Sequence, residues 1–243
     1  MHPVICKIGP FTIFSYGLML VIAFIVSTYL AAREAKRKGI DPDIIFNLCF
    51  IIFVSGIIGA RIFYVLSNLS YYLGNPLEII MLQKGGLAWF GGLTLGVFSG
   101  IAYLRIKKLC IYKLADLLVP FVALGQAIGR LGCFLNGCCY GKESAYGIYS
   151  PVQEAVLIPA QLYSSLLLVC IFIVLRILQN SPHKEGQIFF AYLLFYSSKR
   201  FIIEFLRGDS PTFLFQLTLF QVISIVVFLI ALIGIGLIKH KKR

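Results

Sequence analysis

Arg61, Arg130 and Arg200 each stand inside a long apolar stretch of a 243-residue chain. An arginine in hydrocarbon costs roughly 2.5 kcal/mol or more even on the mildest insertion scales, so three of them call for a reason. The chemistry they share is anion binding, because a guanidinium stays charged and its fork matches phosphate oxygens two at a time. For any single arginine, snorkelling to the headgroups is the plainer explanation; three at matched depth favour a common site. Tyr196, Arg200, Glu204 and Arg207 follow at spacings of four, four and three, which stacks them along one side of an α-helix. On that face Glu204 can pair with Arg200 or with Arg207, making the charges tolerable and stiffening a phosphate clamp. The most conspicuous polar segment is Gly129-Arg130-Leu131-Gly132-Cys133-Phe134-Leu135-Asn136-Gly137-Cys138-Cys139-Tyr140-Gly141.

The elements that must carry these side chains follow from composition. With 59% hydrophobic and 13% charged residues and a mean hydropathy of +0.90, the chain cannot cover a soluble surface. Seven apolar runs have spanning length: 11–32, 44–66, 86–104, 114–135, 158–175, 187–206 and 217–238. The reading is an all-α integral membrane protein of seven transmembrane helices forming a single polytopic domain over residues 1–243. Its net charge of +12 lies in short clusters between runs, as the positive-inside rule places them, and does not indicate nucleic acid. Arg33, Lys36, Arg37 and Lys38, then Arg105, Lys107, Lys108 and Lys113, then Arg176 and Lys184, and finally Lys239, Lys241, Lys242 and Arg243 share one side. Only Lys7, Lys84 and Lys142 fall opposite, so the amino terminus is expected outside and the carboxyl terminus in the cytoplasm. Met1 to Pro10 lacks a cationic n-region, and the first helix is expected to remain uncleaved. At ~1.5 Å per residue, Arg61, Arg130 and Arg200 lie on the order of 8 Å below the outer helix ends, and Tyr16 about as deep. Gly92, Gly96 and Gly100, like Gly125 and Gly129, repeat at helical spacing and read as close helix packing.

Two functions from different classes could use such residues. Cys133, Cys138 and Cys139 gather at the outer end of the fourth run, which makes a membrane thiol oxidoreductase one alternative. Their spacing is C-x4-C-C, vicinal cysteines bridge poorly, and no histidine lies close in sequence, so no metal and no cofactor is expected. A transporter for an anionic lipid is the other; it would place its charges near the midplane and carry inverted repeats, whereas these charges crowd one leaflet. No Ser-His-Asp set or P-loop appears.

The motifs, taken in order, resemble those of the bacterial prolipoprotein diacylglyceryl transferases over essentially the full length. Ser15-Tyr16-Gly17-Leu18-Met19 resembles that family's first-helix tyrosine motif, and Gly59-Ala60-Arg61-Ile62-Phe63-Tyr64-Val65-Leu66 its second-helix motif. Gly85-Gly86-Leu87-Ala88-Trp89-Phe90-Gly91-Gly92 is similar to its double-glycine motif, and Gly129-Arg130-Leu131-Gly132 through Asn136-Gly137 to Gly141 to its signature. Pro159-Ala160-Gln161-Leu162-Tyr163 and Arg200-Phe201-Ile202-Ile203-Glu204-Phe205-Leu206-Arg207 complete the set.

This resemblance implies transfer of the diacylglyceryl group of phosphatidylglycerol to the lipobox cysteine thiol of a prolipoprotein signal peptide, with formation of a thioether and release of glycerol phosphate. It implies a multi-pass protein of the bacterial cytoplasmic membrane whose active site faces the outer leaflet. By correspondence Arg130 meets the lipid phosphate and Arg200 the leaving group, with Tyr16, Tyr196 and Asn136 as neutral partners. Arg61, Gly141, Gln161, Tyr163, Glu204 and Arg207 are the remaining expected substrate-binding residues. The chain departs from the family at Phe90 and Ile158, which stand where histidines are usual, at Cys133 for an asparagine, at Cys138 for an acidic residue and at Ser164 for a glutamate. Three alternatives for the thiol proton follow: the positive field alone suffices, Tyr16 or Tyr196 contributes, or the chain is a divergent lipid transferase with another acceptor.

Overall fold

A computed structural model describes residues 2–8, 11–81, 85–209, 211–214 and 216–240. Eight α-helices carry the described chain: α1 Ser15–Arg37, α2 Pro42–Ser67, the short α3 Leu69–Gly74, α4 Trp89–Ile106, α5 Ile111–Asn136, α6 Ala160–Asn180, α7 Gln187–Glu204 and α8 Leu219–His240. Six of them (α1, α2, α4, α5, α6 and α8) are long and apolar enough to cross a membrane. Helix α7 has 18 residues but includes Lys199, Arg200 and Glu204, which lower its hydropathy below that of its neighbours.

Three departures from the sequence reading are local. The first helix begins at Ser15 and not at residue 11, because Phe11–Phe14 (β2) pairs antiparallel with Val4–Ile8 (β1). The loop after α5 holds a second antiparallel ribbon, Glu143–Ser150 (β3) with Ala155–Leu157 (β4), and a third joins Thr212–Leu214 (β5) to Leu217–Thr218 (β6). The all-α description therefore applies to the spans and not to the connections. The sixth helix stops at Glu204, so Arg207 lies beyond it.

The chain divides into two compact units, Ala32–Ile111 and the combination of Met1–Ala31 with Tyr112–Arg243. In the first, α2 and α4 approach backbone to backbone. A Cβ built on Gly59 would lie 2.4 Å from the Gly91 carbonyl oxygen, and one on Gly91 would lie 2.3 Å from that of Gly59. Only glycine permits this contact. Ser55 and Ser99 hydrogen-bond across the same pair of helices at 2.6 Å, and the start of α2 is capped by Asp41, which accepts from the Asp43 N–H, with Pro42 in the first turn.

In the second unit, Val119, Ala123, Ile171, Leu175, Ile188 and Tyr192 form a core shared by α5, α6 and α7. The buried Asp116 of α5 accepts from the Gly186 N–H at 2.6 Å and the Phe189 N–H at 2.7 Å. A carboxylate so placed satisfies orphan donors at the start of α7 and complements its dipole, which fixes where the helix begins and hence the height of Arg200. Ser165 of α6 donates to the Ala127 carbonyl of α5 at 2.8 Å. Gly125 meets Ser27 of α1 at close range, as a packing glycine should, whereas Gly129 has open space around it.

Candidate anion site

Helix α5 ends in a Schellman motif that shapes everything after it. The Gly137 N–H bonds the Phe134 carbonyl at 3.2 Å and the Cys138 N–H bonds the Cys133 carbonyl at 3.1 Å, with Gly137 at φ +75°. The chain then reverses, and Cys139 also takes a positive φ of 60°. Gly141 is inserted between two other strands of backbone. Its N–H bonds the Ile158 carbonyl at 3.0 Å, and Lys142 N–H bonds the Leu206 carbonyl at 2.9 Å. A Cβ at Gly141 would lie 2.5 Å from the Ile158 oxygen, so the residue is needed for this three-way junction. The junction pairs Gly141 with Arg207 and brings the end of α7 against the end of α5.

Four basic side chains gather here: Arg130, Arg200 and Arg207 lie within electrostatic reach of Lys199, and Arg130 and Arg207 within reach of Arg200. Their partners differ. Arg200 Nη1 lies 3.1 Å from Glu204 Oε2; the angle does not make a hydrogen bond at that oxygen, but the ion pair is buried. Glu204 Oε1 accepts from Thr218 Oγ1 at 3.0 Å, and Thr218 in turn forms a reciprocal cap with Gln221 at the start of α8. The Arg200 guanidinium also stacks 4.4 Å over the Phe220 ring. Arg207 is held in bidentate fashion by Asp209, at 2.8 Å and 2.7 Å, and not by Glu204. Burial opposes its charge, but the hydrogen bonds to Asp209, with the Cys139, Asp209 and Glu204 charges, outweigh this and push its pKa up.

Arg130 is half-buried and has no hydrogen-bond or ion-pair partner among the described residues. Lys199, 4% exposed, donates to Ser164 Oγ at 3.0 Å and sits 4.8 Å from the centre of the Tyr196 ring, with no carboxylate within ion-pair distance among the described residues. Among those residues the carboxylates of Glu204 and Asp209 stand against three guanidinium groups, Arg130, Arg200 and Arg207, which leaves the cluster short of negative charge. In a low-dielectric setting such an excess is costly unless an anion completes it.

The other expected residues divide. Tyr196 stacks beside Tyr192, with ring centres 5.7 Å apart. Tyr16 of α1 lies near Gly132, where an added Cβ would be 3.5 Å from its ring, and within electrostatic reach of Arg130. Asn136 is half-buried and lies close enough to the Cys138 thiol to act on it electrostatically. Gln161 is 1% exposed; its Nε2 donates to the Cys138 carbonyl at 2.8 Å, and its Oε1 has no hydrogen-bond partner among the described residues. Tyr163 is exposed on α6.

Arg61 belongs to the other unit and is fully occupied there. Nε bonds the Ile79 carbonyl, Nη1 those of Gly85 and Gly86, and Nη2 those of Glu78 and Met81, at 2.5–3.3 Å. All five guanidinium donors are thus spent on a loop. Lys199 is the functional candidate that sequence reasoning passed over. Its signal was present, a second cation beside Arg200 in an apolar run, but ladder spacing drew attention to Arg200 alone. A cavity of about 110 Å³ near Leu178, His183 and Ile235 lies at the opposite end of α6 and α7, away from these charges.

Comparison with known proteins identifies relatives. A sequence model described as "Prolipoprotein diacylglyceryl transferase" matches residues 3–237. Proteins of Streptococcus pyogenes serotype M5 (strain Manfredo), serotype M49 (strain NZ131) and serotype M1, each named phosphatidylglycerol--prolipoprotein diacylglyceryl transferase, are 36% identical over 253 aligned positions. The alignments cover all of this chain and 96% of each relative.

Proposed function

We propose a function from one premise: the chain belongs to the prolipoprotein diacylglyceryl transferase family. It is a transferase that moves the diacylglyceryl group of phosphatidylglycerol to prolipoprotein. The single observation that carries the local reading is the half-buried Arg130 with no partner among the described residues, beside three further cations.

The reaction is displacement at a glyceryl carbon. The sulfur of the lipobox cysteine loses its proton and forms a C–S bond, the C–O bond to phosphate breaks, and glycerol phosphate leaves with the electron pair, its phosphate able to take up the proton that the thiol gave up. Negative charge grows on the phosphate oxygens as that bond breaks, so fixed guanidinium groups stabilise the transition state more than the ground state. Arg130 supplies free donors to the lipid phosphate. Arg200, held by Glu204 and stacked on Phe220, needs no reorganisation to meet the leaving group, with Lys199 and Arg207 adding to the field. Tyr16, Tyr196 and Asn136 offer neutral hydrogen bonds, and Gln161 and Tyr163 line the headgroup side, the unpartnered Gln161 Oε1 being suited to a glycerol hydroxyl. Gly141 contributes by joining the Arg130 and Arg207 segments, and Arg61 by ordering its own loop.

Helix α7 counts as a seventh span, its Lys199, Arg200 and Glu204 being tolerable because they are buried against protein. With the basic clusters cytoplasmic, the amino terminus lies outside and the cation cluster faces the outer leaflet of the bacterial cytoplasmic membrane, within a single polytopic domain. Incubation of the purified protein with phosphatidylglycerol and a lipobox peptide should give a peptide heavier by one diacylglyceryl group in mass spectrometry. No thioether product, with consumption of a different lipid or acceptor, would overturn the substrate assignment.

A further inference from the structure

The α5 cap does something besides ending a helix. In a Schellman motif the sixth residue bonds back to the first, and here those two residues are Cys138 and Cys133. The spacing that looks wrong for a metal site in sequence therefore brings two thiols together. The positive φ of Cys139 turns the next side chain back toward them instead of away, a conformation that costs a residue with a Cβ about 1 kcal/mol or more. As a result the Sγ atoms of Cys133, Cys138 and Cys139 all lie within 4.8 Å of one another. Cys133 is buried and the other two are half-buried.

We propose that Cys133, Cys138 and Cys139 form a three-sulfur binding site for a soft, closed-shell cation of the Cu(I) or Zn(II) class. A metal–sulfur bond of ≈ 2.3 Å places tetrahedral sulfurs roughly 3.8 Å apart, so the trio closes onto an ion with side-chain shifts of about 1 Å. Soft thiolate ligands select such ions over hard ones. Each thiol gives its proton to water as it binds, leaving a tris-thiolate complex of charge −2 with Cu(I), or −1 with Zn(II) and water in the fourth position. Arg207 and Arg130 lie within electrostatic reach of Cys139 and offset that negative charge.

The test does not use transfer activity, so it stands or falls apart from the transferase reading. Four cysteines lie outside the trio: Cys6, Cys49, Cys110 and Cys170. Reduced, detergent-solubilised protein with all four changed to serine is titrated with Cu(I) against a competing chelator, and separately with Zn(II), and bound metal is counted after desalting. The expected result is one ion retained per chain, and the arm with tighter retention identifies the metal. Adding Cd(II) to the same variant should give a sulfur-to-metal charge-transfer absorbance. Cys133→Ser, Cys138→Ser and Cys139→Ser should each lower affinity by roughly tenfold or more, since even outer-shell losses cost that much. No retained ion in the four-serine variant overturns the proposal, as does undiminished binding in any of the three single variants. If a single variant fails to fold, the four-serine protein still decides the matter.

Discussion

Arg61 and Arg130 look alike in the sequence, each an arginine in an apolar run at the same calculated depth, and the structure treats them oppositely. Arg61 spends every donor on the carbonyls of Glu78, Ile79, Met81, Gly85 and Gly86. It is a knot that ties a loop, and its charge is answered by dipoles of the same unit. Arg130 has no hydrogen-bond partner among the described residues, and in its neighbourhood the described guanidinium groups outnumber the carboxylates. An intramembrane arginine thus announces a cost and not a function; what decides between structure and chemistry is whether its hydrogen bonds are already made.

That contrast can be broken most directly at its ends. Arg130→Ala should lower turnover by about 10²- to 10³-fold, the value of one preorganised donor at a developing oxyanion, while membrane insertion and thermal unfolding in detergent stay near the parent. A fall below tenfold would place Arg130 with Arg61 as a structural residue. Glu204→Gln is next: it removes the ion pair that orients Arg200, a charge-assisted contact of about 1.5–3 kcal/mol, and should cost roughly ten- to a hundredfold in turnover. Lys199→Met keeps the stem of the side chain and removes the amine with its hydrogen bond to Ser164 Oγ. One lost donor amounts to about 1 kcal/mol, or roughly fivefold in rate, and the loss should appear mainly in kcat.

Arg61→Ala should move turnover least and local order most. Five carbonyls lose their common donor, so protease sensitivity between Glu78 and Gly86 should rise sharply. Arg61→Lys should not restore it, because an ammonium cannot reach all five. If instead turnover collapses while the loop keeps its protection, Arg61 joins the phosphate site after all. On the same unit, Gly59→Ala drives a Cβ to 2.4 Å from the Gly91 carbonyl oxygen and should destabilise the helix pair by about 1–3 kcal/mol, read as a lower unfolding temperature.

The sequence alone determined the class and the seven long helices, though not the short α3, because hydrophobic length is a one-dimensional quantity that a bilayer reads directly. It also determined the catalytic family, since ordered motifs survive without any knowledge of contacts. It did not determine partners. Glu204 could pair with either neighbour on the ladder, and only the end of α7 at Glu204, with Asp209 capturing Arg207, assigned it to Arg200. Lys199 gains meaning only from its place in three dimensions, donating to Ser164 and lying over the Tyr196 ring. The three thiols converge through one 6→1 hydrogen bond and two left-handed residues, Gly137 and Cys139, and the cysteine spacing by itself carries no signature of the second. Hydrogen bonds and close approaches depend on distances in three dimensions, and the fate of a buried charge is set by those distances and not by its residue type.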